Sequence, residues 1–230
     1  MIYIIGDSHV SIFSGLGNTN ENEYGIHIQP EFGTCYTLSQ GQLKPKIMKF
    51  EQRIPYFCAI KIGSHTAYNS YNKLYKIEQA IEEYKVSCDD YIFLCFGEID
   101  IRGHIGFQAK KQNINLNTAI EICVDNYMKT ILYLKNKYCN VCVFTPIPST
   151  IGWDLNDYGD VKIRNRMTLH FNKYLIDQCK KNNIIVKSIT DKLILPDGTT
   201  DESFYMDAIH LSQKCMPLIQ SEFEDIISKF

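Results

Sequence analysis

Hydrophobic residues recur along the chain in two rhythms. Short apolar runs occupy Ile2–Ile5, Phe57–Ile62, Tyr91–Phe96, Val141–Thr145 and Ile184–Ile189, the lengths and composition of buried strands. Between them the apolar positions step by three and four, as on one face of a helix. Leu74, Ile77, Ile81 and Tyr84 form one such stripe, and Ile120, Val124, Tyr127, Ile131, Leu134 and Tyr138 form a longer one. Thr118 and Glu121 have capping-box spacing at the start of the second. A third helix is expected through Met167, Phe171, Tyr174 and either Ile176 or Cys179, and a fourth through Ile219, Phe223, Ile226 and Phe230. Pro217 leaves the start of the last helix open, because proline removes a backbone donor. Strands alternating with helices predict a parallel sheet with crossover helices, in one compact α/β domain over residues 1–230. Two stretches break the alternation. Residues 18–53, rich in Asn, Gln, Gly and Tyr, read as a small β-hairpin or an irregular lid, and residues 147–161 read as a loop carrying Trp153.

Composition narrows the partners. The 230 residues carry 24 Lys+Arg against 26 Asp+Glu, a net charge of −2, with 45% hydrophobic and 22% charged residues, which is ordinary globular usage. The apolar run Tyr91–Phe96 is far too short to span a membrane, and no basic tract marks a nucleic-acid or acidic-membrane partner. Nine cysteines, several inside apolar runs, read as free thiols of a reducing, cytoplasmic protein. Cys139 and Cys142 have metal-like or redox-like spacing, but nothing nearby completes such a site, so both are expected in the core.

Open parallel sheets bind ligands beyond the carboxyl ends of their strands. There the sequence has Gly6-Asp7-Ser8-His9 after the first strand, Gly63-Ser64-His65 after the second, and Gly97-Glu98-Ile99-Asp100-Ile101-Arg102 after the third. Asp207-Ala208-Ile209-His210 follows near the C-terminus. A strand-end serine becomes a nucleophile when a histidine takes its proton and an acid orients that histidine. Ser8, His210 and Asp207 are the residues for those roles, against a bland reading of Ser8 as a turn or cap residue. Asp7 reads as a brace that accepts backbone amides of the turn.

These four segments, in this order from residue 6 to residue 210, resemble the blocks of the SGNH (GDSL-like) hydrolases. The resemblance implies a flavodoxin-like three-layer α/β/α fold with a five-stranded parallel sheet. It also implies ester hydrolysis or acyl transfer through an acyl-serine, without metal or other cofactor. It assigns Ser8 as nucleophile, His210 as base and Asp207 as its orienter, with the amides of Ser8 and Gly63 holding the oxyanion. In that family a block-three asparagine adds a third donor, but this chain has Ile99 there. Losing one such donor typically costs ~10²–10³ in rate. Arg102 is the nearest substitute, steadied by Glu98 or Asp100. His9 and His65 are candidates to line the pocket.

Two rivals stay open. Asp7-x-His9 and the Gly97–Gly103 turn echo metallophosphoesterase ligand turns, without that class's later histidines. A non-catalytic member of the fold that binds a glycan or partner is the other, and Ile99 favours it. The expected substrate is a small-molecule or glycan ester, most simply a carbohydrate O-acetyl ester, with acetyl transfer to a glycan as the variant reaction. Oligomeric state is left open.

Overall fold

The computed structural model of the chain describes residues 1–14, 34–39, 42–44, 56–63, 65–150 and 160–230. Its centre is a seven-stranded sheet formed by β1 (Ile2–Gly6), β2 (Thr34–Ser39), β3 (Gln42–Lys44), β4 (Phe57–Lys61), β5 (Tyr91–Cys95), β6 (Val141–Phe144) and β7 (Val186–Lys187). The spatial order is β3-β2-β4-β1-β5-β6-β7. Without β2 and β3 this is the flavodoxin-like order 2-1-3-4-5, with its switch point between β1 and β5. β2 pairs parallel to β4, and β3 pairs antiparallel to β2, so the sheet exceeds the five strands expected. The hairpin anticipated within 18–53 is thus present as an edge extension of the sheet. The idea of a lid falls outside the described residues, as does Trp153.

Strand alternation divides the core in two. Ile5, Ile60, Ile92, Leu94 and Val143 face one side, under α1 (Leu74–Glu83), α2 (Ile105–Gln112), α3 (Leu116–Lys137) and α4 (Val161–Lys181). Ile2, Ile4, Phe57, Phe93 and Phe144 face the other, under the 3₁₀ segment Ser8–Ser14 and α5 (Met216–Ile227). Phe223 anchors α5, with ring centroids 4.9, 5.2 and 5.9 Å from those of Phe93, Phe57 and Phe13. Truncating a phenylalanine buried like this costs roughly 3–5 kcal/mol.

Local chemistry explains where the elements differ from expectation. The N-cap of α3 is Asn115, whose side chain accepts the Thr118 amide, one turn before the expected Thr118 cap. Pro217 sits in the first turn of α5, where a missing amide breaks no intrahelical bond. β7 is shorter than the run Ile184–Ile189, because the Ile184 amide turns back to the Cys179 carbonyl and Ile189 leads into the turn Thr190–Lys192. Helix α2 has no apolar stripe to announce it; Ile105 and Ala109 are its buried residues. Cys142 is in the core, but Cys139 is exposed and forms a disulfide with Cys88, which corrects the expectation of free, buried thiols at that pair. Among the described residues no helix is long and apolar enough to cross a membrane.

Candidate active site

The carboxyl ends of β4, β1 and β5 meet at the switch point, and each ends in a turn that glycine makes feasible. A Cβ on Gly6 would strike the Cys95 carbonyl, so β1 and β5 approach closely just before Ser8. Gly97 has φ +121°, and a Cβ there would lie 2.6 Å from Pro146 Cγ. After Gly97 the chain enters a single π-helical turn, Asp100–His104, an irregularity that recurs where side chains are aimed for function. Gly63, at φ +94°, turns the chain after β4.

The C-terminal segment returns to Ser8 across 202 positions of sequence. His210 Nε2 lies 2.8 Å from Ser8 Oγ, and His210 Nδ1 lies 2.7 Å from Asp207 Oδ2. Asp207 Oδ1 also accepts the amides of Ile209 and His210, at 2.8 and 2.7 Å. Burial alone would raise the Asp207 pKa, but these hydrogen bonds and the imidazole hold it at about 2. An ionised Asp207 takes the Nδ1 proton as a hydrogen bond, which leaves Nε2 to accept from the Ser8 hydroxyl. The three residues singled out in sequence therefore stand in one hydrogen-bonded line.

A second, buried line runs beneath it. Asp7 Oδ1 accepts the His9 amide at 2.9 Å and faces His9 Nδ1 at 2.7 Å. Glu98 Oε2 lies 3.4 Å from His9 Nε2, and Glu98 Oε1 accepts from Arg102 Nε at 2.7 Å. Burial works to lower the His9 pKa, yet Asp7 and Glu98 on either side raise it to about 9, so His9 is an imidazolium at neutral pH. Its ring centroid is 5.2 Å from that of His210. Glu98, not Asp100, is thus the acid that holds Arg102.

Asp100 is fully buried and faces away from that line. Its carboxylate accepts the Ala67 and Tyr68 amides at 2.6 and 3.2 Å and the Cys123 thiol at 3.4 Å, tying the segment after Gly63 to the π turn. Burial pushes its pKa up to about 6 against these hydrogen bonds. His65 is buried near Phe96 rather than lining an open pocket; burial first, and then Lys73 and Lys76, lower its pKa to about 4, so it is neutral.

One support had no signal in the sequence. The Arg164 side chain is 2% exposed and reaches from α4 to Ser149 Oγ at 3.0 Å and the Thr150 carbonyl at 2.9 Å. Thr150 Oγ1 in turn donates to the Ala208 carbonyl at 2.7 Å, inside the turn that carries Asp207 and His210. The Tyr205 hydroxyl donates to the Pro148 carbonyl in the same brace. Among the described residues, no group of three or more His, Cys, Asp and Glu side chains is arranged to hold a metal ion.

No protein-family model matches the sequence, and no curated protein matches it. Solved structures do. A candidate acylhydrolase of Bacteroides fragilis superposes with TM-score 0.59 at 12% identity, over 99% of this chain and 86% of that one. A GDSL-like lipase of Bacteroides thetaiotaomicron gives 0.56 at 10% identity, over 99% and 87%. A variant of the acetyl-xylooligosaccharide esterase Axe2 of Geobacillus stearothermophilus gives 0.54 at 12% identity, over 98% and 93%. The chain has the SGNH hydrolase fold. Ser8, Gly63 and Ile99 follow β1, β4 and β5 in turn, and His210 precedes α5. Ile99 is half-buried and offers no side-chain donor.

Proposed function

We propose that this chain is a serine esterase that cleaves O-acetyl or other small esters, with carbohydrate esters as its substrates. One observation carries the reading: the continuous line from Ser8 Oγ through both His210 nitrogens to the Asp207 carboxylate. As the Ser8 oxygen attacks the ester carbonyl, its proton passes to His210 Nε2. The imidazolium so formed is stabilised by Asp207, which is itself held ionised by two backbone amides. Collapse of the tetrahedral intermediate breaks the bond to the alkoxy oxygen, and His210 returns the proton to the leaving alcohol. Water then adds to the acyl-serine with His210 again as base, releasing the acid. A sugar hydroxyl in place of that water would give acetyl transfer by the same steps.

The developing oxyanion is assigned to the Ser8 and Gly63 amides, with the Arg102 guanidinium supplying charge where Ile99 cannot. The acylhydrolase and lipase neighbours support ester chemistry, and the acetyl-xylooligosaccharide esterase supports the carbohydrate class. Ile99 itself favours a second reading, a binding module of the same fold that has lost catalysis. Acetate release from acetylated xylooligosaccharides and from an aryl acetate separates the two, measured with chelator present for wild type and Ser8→Ala. The esterase reading requires release by wild type that Ser8→Ala abolishes. Equal release by both proteins, or none from folded wild type, overturns it.

A further inference from the structure

The segment that leaves Gly63 and runs into α1 has an unusual surface. Residues 66–75 read Thr-Ala-Tyr-Asn-Ser-Tyr-Asn-Lys-Leu-Tyr, with tyrosines at i, i+3 and i+7, a spacing that gathers side chains on one side of a helical path. Tyr68, Tyr71 and Tyr75 are 45%, 44% and 58% exposed, and Asn69 and Asn72 between them are exposed as well. Tyr133 of α3 joins the row, its ring edge-on to Tyr71 at 6.2 Å. The buried residues of α1 are Ile77, Ala80 and Ile81, so the fold does not draw on these tyrosines for its core. Exposed aromatic side chains that the core does not use are candidates for an interaction site.

Tyr68 also forms the lip of a cavity of about 110 Å³ between this segment, α2 and the start of α3. Asn69, Gln108 and Gln112 offer amide groups to it, above apolar walls from Ile105, Ile114 and Ile122. No lysine or arginine lines it, and Asp100 in its wall has its oxygens committed to the Ala67 and Tyr68 amides and the Cys123 thiol. The cavity therefore presents amide groups and the His104 imidazole beside an aromatic face.

We propose that the tyrosine row and this cavity bind a neutral oligosaccharide, with a sugar ring seated at Tyr68 and the following units along Tyr71 and Tyr75. A pyranose has an apolar C–H face that suits an aromatic ring and a rim of hydroxyls that suits planar amides. Tyrosine interleaved with asparagine and serine supplies rigid contact area with adaptable hydrogen bonding. An anionic ligand would find neither a lysine nor an arginine among the described residues that line this cavity. As the seat of the carbohydrate part of a substrate, the site rests on the esterase reading; as a binding site it stands without it.

The test is calorimetric titration of full-length Ser8→Ala protein with xylohexaose, cellohexaose and chitohexaose. Saturable binding of at least one is expected, weakened about tenfold by Tyr68→Ala and by Gln108→Ala, the scale of losing one aromatic or hydrogen-bonding contact. These side chains lie outside the core, and unchanged near-ultraviolet dichroism verifies the fold of each variant. Absence of saturable binding by all three sugars, or binding indifferent to both substitutions, overturns the proposal. Failure of each reading is separable. Oligosaccharide binding by a protein that cleaves no ester would sink the esterase and keep this site. Cleavage of an aryl acetate without oligosaccharide binding would do the reverse.

Discussion

The buried imidazolium of His9 makes a measurable demand on stability. Folding moves its pKa from the ordinary 6.5 to about 9, because Asp7 and Glu98 flank it more strongly than burial opposes it. A histidine whose folded pKa is raised binds its proton more tightly in the native state. Its contribution is full below the unfolded value and disappears as pH rises through the folded one. At 1.36 kcal/mol per pKa unit, the shift corresponds to roughly 3 kcal/mol lost between pH 6.5 and pH 9.5. The buried thiols Cys95, Cys123, Cys142, Cys179 and Cys215, whose pKa values burial raises, also destabilise the fold as pH rises. The comparison must cancel them. Urea unfolding of wild type and His9→Gln at both pH values does so, since the two proteins share every thiol. The variant should be the less stable by about 3 kcal/mol at pH 6.5, with most of that gap closed at pH 9.5. A gap independent of pH would refute the placement of a charged His9 between two carboxylates.

Other substitutions probe the site directly. Asp207→Asn should keep the fold and lower kcat by ~10⁴, because the amide no longer holds the imidazole in the required tautomer; near-normal turnover in steady-state assays would reject the triad. Because Asp207 is held at about 2, its stabilising contribution is present above the ordinary carboxylate pKa and is lost as pH falls through 2, so the acid limb of kcat should not report Asp207 above pH 3. Ile99→Asn should leave kcat similar or raise it, by restoring a side-chain donor beside the nucleophile; a large drop in folded protein would mean another group already fills that space. Arg164→Met should lower kcat roughly 10²-fold with KM close to wild type, since it loosens the loop that holds Ala208. Unchanged kcat in folded Arg164→Met would reduce Arg164 to a structural part.

The strands around the site were legible because each is buried on both faces. Ile4 and Ile5, or Phe93 and Leu94, feed opposite cores, so the runs are apolar throughout. Ser8 is legible because it directly follows β1, and Asp207 and His210 because they form an Asp-x-x-His pair in a turn shortly before α5. The β2–β3 hairpin is not distinct in the sequence, since its Thr, Tyr, Gln and Ser residues give no clear alternation. Asn115 carries no clear signal as a cap, because the apolar stripe of α3 becomes continuous only from Ile120, more than a turn later. The bracket around His9 depends on Glu98 arriving from a different strand, which spacing along the chain does not encode. Arg164 was the least visible. Among its partners are the Ser149 hydroxyl and the Thr150 carbonyl, and backbone atoms leave no trace in residue types.

The central claim is that Ser8 is an activated nucleophile that works without metal. Intact-mass analysis after exposure to a fluorophosphonate, with chelator present, tests it most directly on wild type and Ser8→Ala. The account predicts a single adduct on wild type and none on Ser8→Ala. An adduct that persists in Ser8→Ala, or none on folded wild type, would contradict it.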